Sequence, residues 1–83
     1  MYTLLAKPTL EKDLRSIHPD DLELLNEKIK SLAAQPRQQK TEKLKGVDGY
    51  RLRVGRYRIL YEINDRDRSV TVYRVQHRKR VYR

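Results

Sequence analysis

The sequence predicts a single α+β domain of order β-α-α-β-β-β, with one mostly antiparallel four-stranded sheet and a helical hairpin packed on one of its faces. Three observations predict it. The 83 residues leave room for one domain, 1–83, with a small core. Apolar residues in the first half recur at helical spacing. In the second half they alternate with polar residues at period two, around glycine-containing turns.

Tyr2 to Ala6 is a short apolar run and reads as the first strand. Pro8 fits the first turn of a helix, and Leu10, Leu14 and Ile17 give that helix one apolar stripe. His18-Pro19-Asp20 breaks it and starts another. Asp20 and Glu23 form a D-x-x-E variant of the capping box, and His18 reads as a surface or capping residue. Leu22, Leu25, Ile29 and Leu32 then line one face, widened by Leu24, and this helix is expected to reach about Ala34, before Pro36. Gln35 to Gly46 is polar, without periodicity, and reads as a loop in which Leu44 anchors between the exposed cations Lys43 and Lys45.

From Tyr50 the period changes to two. Tyr50, Leu52 and Val54 share one face, with Arg51 and Arg53 on the other. Tyr57, Ile59, Tyr61 and Ile63 continue the apolar face, and Arg58, Leu60 and Glu62 the polar one. A Gly55-Arg56 loop with glycine first suits a type II′ hairpin turn. It sets the register Val54–Tyr57, Arg53–Arg58, Leu52–Ile59 and Arg51–Leu60. Asn64 to Arg68 is a second turn, and Ser69 to Gln76 the last strand, with Val70, Val72, Tyr73 and Val75 as its bulk. The helices are expected to cover the tyrosine–isoleucine face and leave the arginine face open.

Charge points to function. The net charge is +9, yet residues 1–42 carry seven basic and seven acidic residues, and residues 43–83 carry thirteen basic and four acidic. A field so localised steers anions, and nucleic acid is the natural target because neutralising phosphates releases counterions. No apolar run approaches membrane-spanning length, so no membrane partner is expected. Cysteine is absent, which removes disulfides, zinc–thiolate sites and thiol catalysis. Met1 to Lys7 lack the long apolar core of a signal peptide, so a cytoplasmic protein is expected.

The predicted register sets Arg53 and Arg58 directly opposite each other, with Arg51 diagonal. Like charges so placed destabilise a sheet, by about 1 kcal/mol per close pair in a wet setting. An anion between the guanidinium groups removes that cost, so Arg51, Arg53 and Arg58 are read as phosphate ligands, assisted by Lys43, Lys45, Arg56 and Arg80. The tail adds four cations over Arg78 to Arg83, interrupted by Val81 and Tyr82. The sequence offers no cluster of metal ligands and no serine in a His/Asp context, so neither a metal nor a cofactor is expected. Metal-free RNA cleavage fits what is present. The 2′-OH attacks the adjacent phosphate, guanidinium groups stabilise the charge that develops there, and a tyrosine or neutral histidine takes the proton. Tyr82 and His77 are the candidates. A tyrosine, titrating ordinarily near ~10, becomes a better base among cations.

Three segments carry a family resemblance: KLKGVDGYRLRV (43–54), GRYRILYEI (55–63) and VQHRKRVYR (75–83). The second is similar to the G-x-[YH]-R-hydrophobic-hydrophobic-Y strand of the RelE branch of the RelE/ParE toxin superfamily, and the third resembles its closing V-x-[HK]-R…VY motif. The β-α-α-β-β-β order agrees throughout. The resemblance implies a RelE-like fold and a toxin that enters the ribosomal A site and cuts mRNA there without metal, leaving a 2′,3′-cyclic phosphate and a 5′-OH. It assigns Arg58, Arg78 and Tyr82 to catalysis. Where the family often carries two strand lysines this chain has Arg51 and Arg53, and arginine is no proton shuttle at neutral pH, which leaves that role to Tyr82 or His77. The resemblance also implies a cognate antitoxin with an acidic or partly disordered segment, and contact with operator DNA only through the antitoxin complex. Two other functions fit the same residues: ParE-like inhibition of DNA gyrase by protein–protein contact, and non-catalytic nucleic-acid binding.

Overall fold

The computed structural model describes residues 1–46 and 49–77. The elements run β1 (Thr3–Ala6), α1 (Pro8–Arg15), α2 (Pro19–Ser31), β2 (Thr41–Lys43), β3 (Gly49–Val54), β4 (Tyr57–Asn64) and β5 (Ser69–His77). They form one five-stranded mixed sheet in the order β1-β5-β4-β3-β2, with β1 parallel to β5 and the other pairs antiparallel. The expected four strands are thus one too few. Part of the stretch read as a loop forms β2, pairing Thr41 with Leu52, Glu42 with Arg51 and Lys43 with Tyr50. Lys40 turns the chain into it at φ 69 and accepts a hydrogen bond from the Arg53 amide at 3.3 Å. Without this edge strand the outer backbone groups of β3 would lack strand partners.

The helices follow their apolar stripes with two corrections. Pro8 and Pro19 each open a helix, where a missing N–H costs nothing. The cap of α2 is His18, whose Nδ1 accepts from the Asp20 amide at 3.1 Å. Asp20 therefore lies inside the first turn, where its charge complements the helix dipole, and the D-x-x-E box does not form. The helix ends at Ser31, three residues earlier than expected, and the Ala33 carbonyl beyond it accepts from the Tyr2 amide at 2.7 Å. Leu24 is exposed and does not widen the buried stripe.

The core lies between the helices and one sheet face. Leu10, Leu25 and Leu32 meet Leu52, Val54, Ile59, Tyr61, Val70, Val72 and Val75. Tyr61 is fully buried and donates its hydroxyl proton to the Pro36 carbonyl, which settles the one polar atom it carries inward. Leu25 has no exposed surface. Leu25→Ala is expected to cost about 2–5 kcal/mol. That is a large share of the stability of so small a domain, and urea titration should show the midpoint falling sharply or no cooperative transition.

Two features position the end of the sheet. A bulge in β5 shifts the register at Leu60/Tyr61, so that Tyr61 pairs with Val72 and Leu60 with Arg74, leaving Tyr73 as the extra residue. The shift keeps Val75 on the core face after Val70 and Val72. Beyond β1, helix α1 takes over the outer edge of β5. Thr9 donates its hydroxyl to the Tyr73 carbonyl, and the Asp13 carboxylate accepts from the Val75 amide at 3.0 Å and from the Arg74 guanidinium at 3.1 and 3.2 Å.

The opposite end of the sheet is clamped by Asp65. It receives two hydrogen bonds from Arg37, at 2.8 and 3.3 Å, and one from the Tyr2 hydroxyl at 2.7 Å. The Arg37 hydrogen bond, followed by that of Tyr2, holds the Asp65 carboxyl below its ordinary range. A carboxylate with a depressed folded pKa stabilises the fold above its unfolded pKa, and that contribution is lost as pH falls through the folded value. Asp65→Asn should therefore melt at lower temperature than wild type at pH 7, with the gap closing once pH drops below about 4. Thermal melts across that range check it.

Candidate nucleic-acid interface

The sheet face opposite the helices carries the cations, and the strand register sets which of them meet. Val54–Tyr57, Arg53–Arg58, Leu52–Ile59 and Arg51–Leu60 are paired as the hairpin turn predicts. Gly55 supplies the turn with φ +57, and Arg56 follows with an ordinary backbone, the combination a type II′ turn requires. Across β4 the pairs continue as Arg58–Gln76 and Leu60–Arg74. Directly paired residues share a face. One row therefore reads Arg53–Arg58–Gln76, and the next reads Glu42–Arg51–Leu60–Arg74.

The face is less open than expected. Arg58 is only 7% exposed and is the one buried charged residue among those described. Arg53 and Arg56 are exposed, whereas Arg51 is half-buried. Its Nη2 is hydrogen-bonded to the Glu42 carboxylate across the β2–β3 ladder. That bond and the Arg51 charge hold the Glu42 carboxyl below its usual range, with smaller contributions from Arg53 and Arg58. An acid thus sits among the arginines.

The structure separates several residues that the sequence grouped. Lys43 pairs with Tyr50, which puts it on the sheet face away from Arg51. Lys45 is exposed in the turn after β2. His77 pairs with Tyr57 and meets its ring edge-on, with centroids 5.2 Å apart. It therefore belongs to the helix-side face, where it lines a cavity of about 340 Å³ with Asp13, Ile17, Tyr57 and Arg74. Arg58, one residue along β4 from Tyr57, points to the other face. Arg78, Arg80 and Tyr82 lie outside the described residues.

Two residues of this surface were missed. Arg74 joins the second row, its guanidinium drawn to Asp13. The signal for it was the three-residue step from Val72 to Val75, a break in the period of two that marks the bulge. Glu42 enters only because β2 exists, and nothing local in the sequence marks that strand. Among the described residues no group of three or more His, Asp or Glu side chains is placed to hold a metal ion.

Comparison with known proteins decides the family. The sequence pattern of the ParE toxin of the type II toxin–antitoxin system parDE matches residues 4–82. The chain belongs to this toxin family. Solved structures place it with the RelE-type toxins. It is similar to the toxin in the toxin–antitoxin complex RelBE2 of Mycobacterium tuberculosis, with 30% identity, 93% of this chain and 98% of that one covered, and a TM-score of 0.84. The archaeal RelE–RelB complex of Pyrococcus horikoshii gives 27% identity, 95% and 97% coverage, and a TM-score of 0.83. The intact RelBE complex of E. coli gives 26%, 93% and 96%, and 0.79. The RelE-type toxin described here thus shares the fold over nearly its whole length, with the cationic rows on the side of the sheet opposite the helices.

Proposed function

We propose that this toxin is a ribosome-dependent endoribonuclease that cuts mRNA in the A site and so stops translation. The observation that carries this reading is the juxtaposition of Arg51, Arg53 and Arg58 on two paired strands, with Arg58 buried and Arg53 directly opposite it. An arginine pair held so close gains most from an anion that both can bind.

The 2′-OH of the nucleotide on one side of the scissile bond attacks the adjacent phosphorus. The O2′–P bond forms, the P–O5′ bond breaks, and the products are a 2′,3′-cyclic phosphate and a 5′-OH. Arg58 and Arg78 stabilise the negative charge on the phosphoryl oxygens in the transition state. Tyr82, as the phenolate, takes the 2′-OH proton, and the departing 5′-oxygen takes a proton from solvent water. Arg51, Arg53, Arg56 and Arg80 hold the flanking phosphates, with Lys45 at the margin. The partner that silences the toxin is a cognate antitoxin, in keeping with the toxin–antitoxin complexes of its structural relatives. An acidic, partly disordered segment suits the +9 charge. Operator DNA is reached only through that complex, and the working compartment is the cytoplasm.

The test is to incubate purified toxin with programmed ribosomes and to map mRNA 5′ ends, adding no metal beyond the magnesium that ribosomes need. Cuts within A-site codons, with 5′-OH ends, are expected. Uncut mRNA at toxin excess overturns the proposal. The family match to the ParE toxin keeps gyrase inhibition as the second reading. On the proposal made here, a parallel supercoiling assay shows no inhibition.

A further inference from the structure

The acid among the arginines has no part in the chemistry above. Glu42 is the middle residue of a three-residue edge strand, pairs directly with Arg51, and receives a hydrogen bond from its Nη2. Its side chain is 60% exposed and that of Arg51 30%, so an incoming anion can reach the pair from solvent. Glu62 shares the face but pairs with Gly49 and Thr71, one row beyond Arg51 and two beyond Arg58. Glu42 is thus the acid that meets the phosphate ligands themselves. The depression of its carboxyl pKa by Arg51, and then by Arg53 and Arg58, agrees with that position.

We propose that Glu42 is a built-in competitor for nucleic-acid phosphate: in the free toxin its carboxylate occupies the guanidinium of Arg51, and a bound polyanion must displace it. The inference rests on the reading that this face receives a phosphate backbone. A carboxylate is a planar two-oxygen anion that matches the guanidinium fork as a phosphate does. While Glu42 holds Arg51, that arginine adds little to the attraction of stray polyanions, and the exposed carboxylate repels them. A strand delivered in fixed register, as on a larger assembly, brings its phosphate close enough to exchange with the carboxylate. The pair therefore weakens casual binding more than productive binding and acts as a specificity-determining contact.

The test uses the full chain and two probes: inorganic polyphosphate, which has no ribose, and a 2′-O-methylated oligoribonucleotide, which carries no attacking hydroxyl. Affinities are measured against salt for wild type, Glu42→Gln, Arg51→Ala and the double variant. Glu23→Gln, an exposed site on α2, controls for net charge. Glu42→Gln is expected to tighten both probes about three- to tenfold at low salt, and to steepen the log–log salt dependence by about 0.7, one further phosphate contact on a single strand. Most of that gain should vanish in the Arg51→Ala background, and Glu23→Gln should gain less than twofold.

A gain that persists undiminished without Arg51, or that Glu23→Gln reproduces, overturns the competitor role, because either result means a general field effect. So does an unchanged polyphosphate affinity combined with lost cleavage, which would move Glu42 into the chemistry. Should ribosomal mRNA stay uncut while Glu42→Gln still tightens polyphosphate through Arg51, the nuclease reading fails and the competitor role stands.

Discussion

Arg58→Ala is expected to slow mRNA cleavage on programmed ribosomes by about 10²–10³-fold while leaving the fold intact. The magnitude follows from position. A donor aimed at developing charge is worth most where water is excluded, and deleting one such donor typically costs this much in rate. Arg58 is 7% exposed, whereas Arg53 opposite it is open to solvent. The same deletion at Arg53 should cost less, chiefly in binding. The fold should survive because Arg58 projects from the face away from Leu25, Leu52 and Ile59, so truncation opens no hole in the apolar core. It also removes one member of a like-charge pair, a change that does not destabilise a sheet. Arg58→Lys is the informative companion. It keeps the charge but loses the two-pronged fork, and should fall between wild type and alanine. Single-turnover rates with saturating ribosomes separate this from weaker binding. A wild-type rate for Arg58→Ala, with an unchanged circular dichroism spectrum, would remove Arg58 from the mechanism.

The register that places Arg58 was legible in the sequence because three local rules agree there. Gly55 marks the turn, its loop of two residues fixes the pairing, and the period of two assigns each side chain to a face. The helices were legible for the same reason: their apolar residues recur at helical spacing, and Leu10, Leu25 and the C-cap residue Leu32 are buried in the core. What escaped depends on tertiary context. Thr41–Lys43 is three residues long and polar, and it is a strand because the outer edge of β3 offers it hydrogen bonds. Glu42 then acquires Arg51 as a neighbour through that pairing alone. The cap of α2 went to His18 rather than Asp20 because Pro19, one residue after His18, is fitted to the first helical position and so fixes the start. The bulge at Tyr73 lay in plain view as the step from Val72 to Val75, yet its consequence is not local. It decides that Val75 turns to the core and that His77 follows it, away from Arg58.

That placement yields the second large effect: Tyr82→Phe should slow cleavage by about 10²–10³-fold, and His77→Ala by no more than a few-fold. General-base catalysis contributes about 10²–10⁴-fold. The base must also reach the 2′-OH of a strand lying on the arginine rows. The sequence left two candidates. His77 shares its face with Tyr57, whose hydroxyl donates to Asp21 on α2 at 2.9 Å, so the imidazole stands on the helix side of the sheet while Arg58 and Gln76 project from the other. Successive side chains of a strand point to opposite faces, and a histidine there would have to act through the sheet. Arg51 and Arg53 stay charged at every working pH, so neither takes a proton. On the mechanism proposed above Tyr82 is the base, and the pH profile tests that assignment. A phenol titrates ordinarily near ~10, lower among cations that favour the phenolate, so log rate should climb with pH through neutrality with a slope near one. Tyr82→Phe should flatten that limb, because no hydroxyl remains to ionise. A histidine base predicts a plateau above about pH 6.5 instead. If Tyr82→Phe cuts at the wild-type rate and His77→Ala loses the pH limb, the base is His77, and the bound strand must then reach around the end of β5 to the helix side of the sheet.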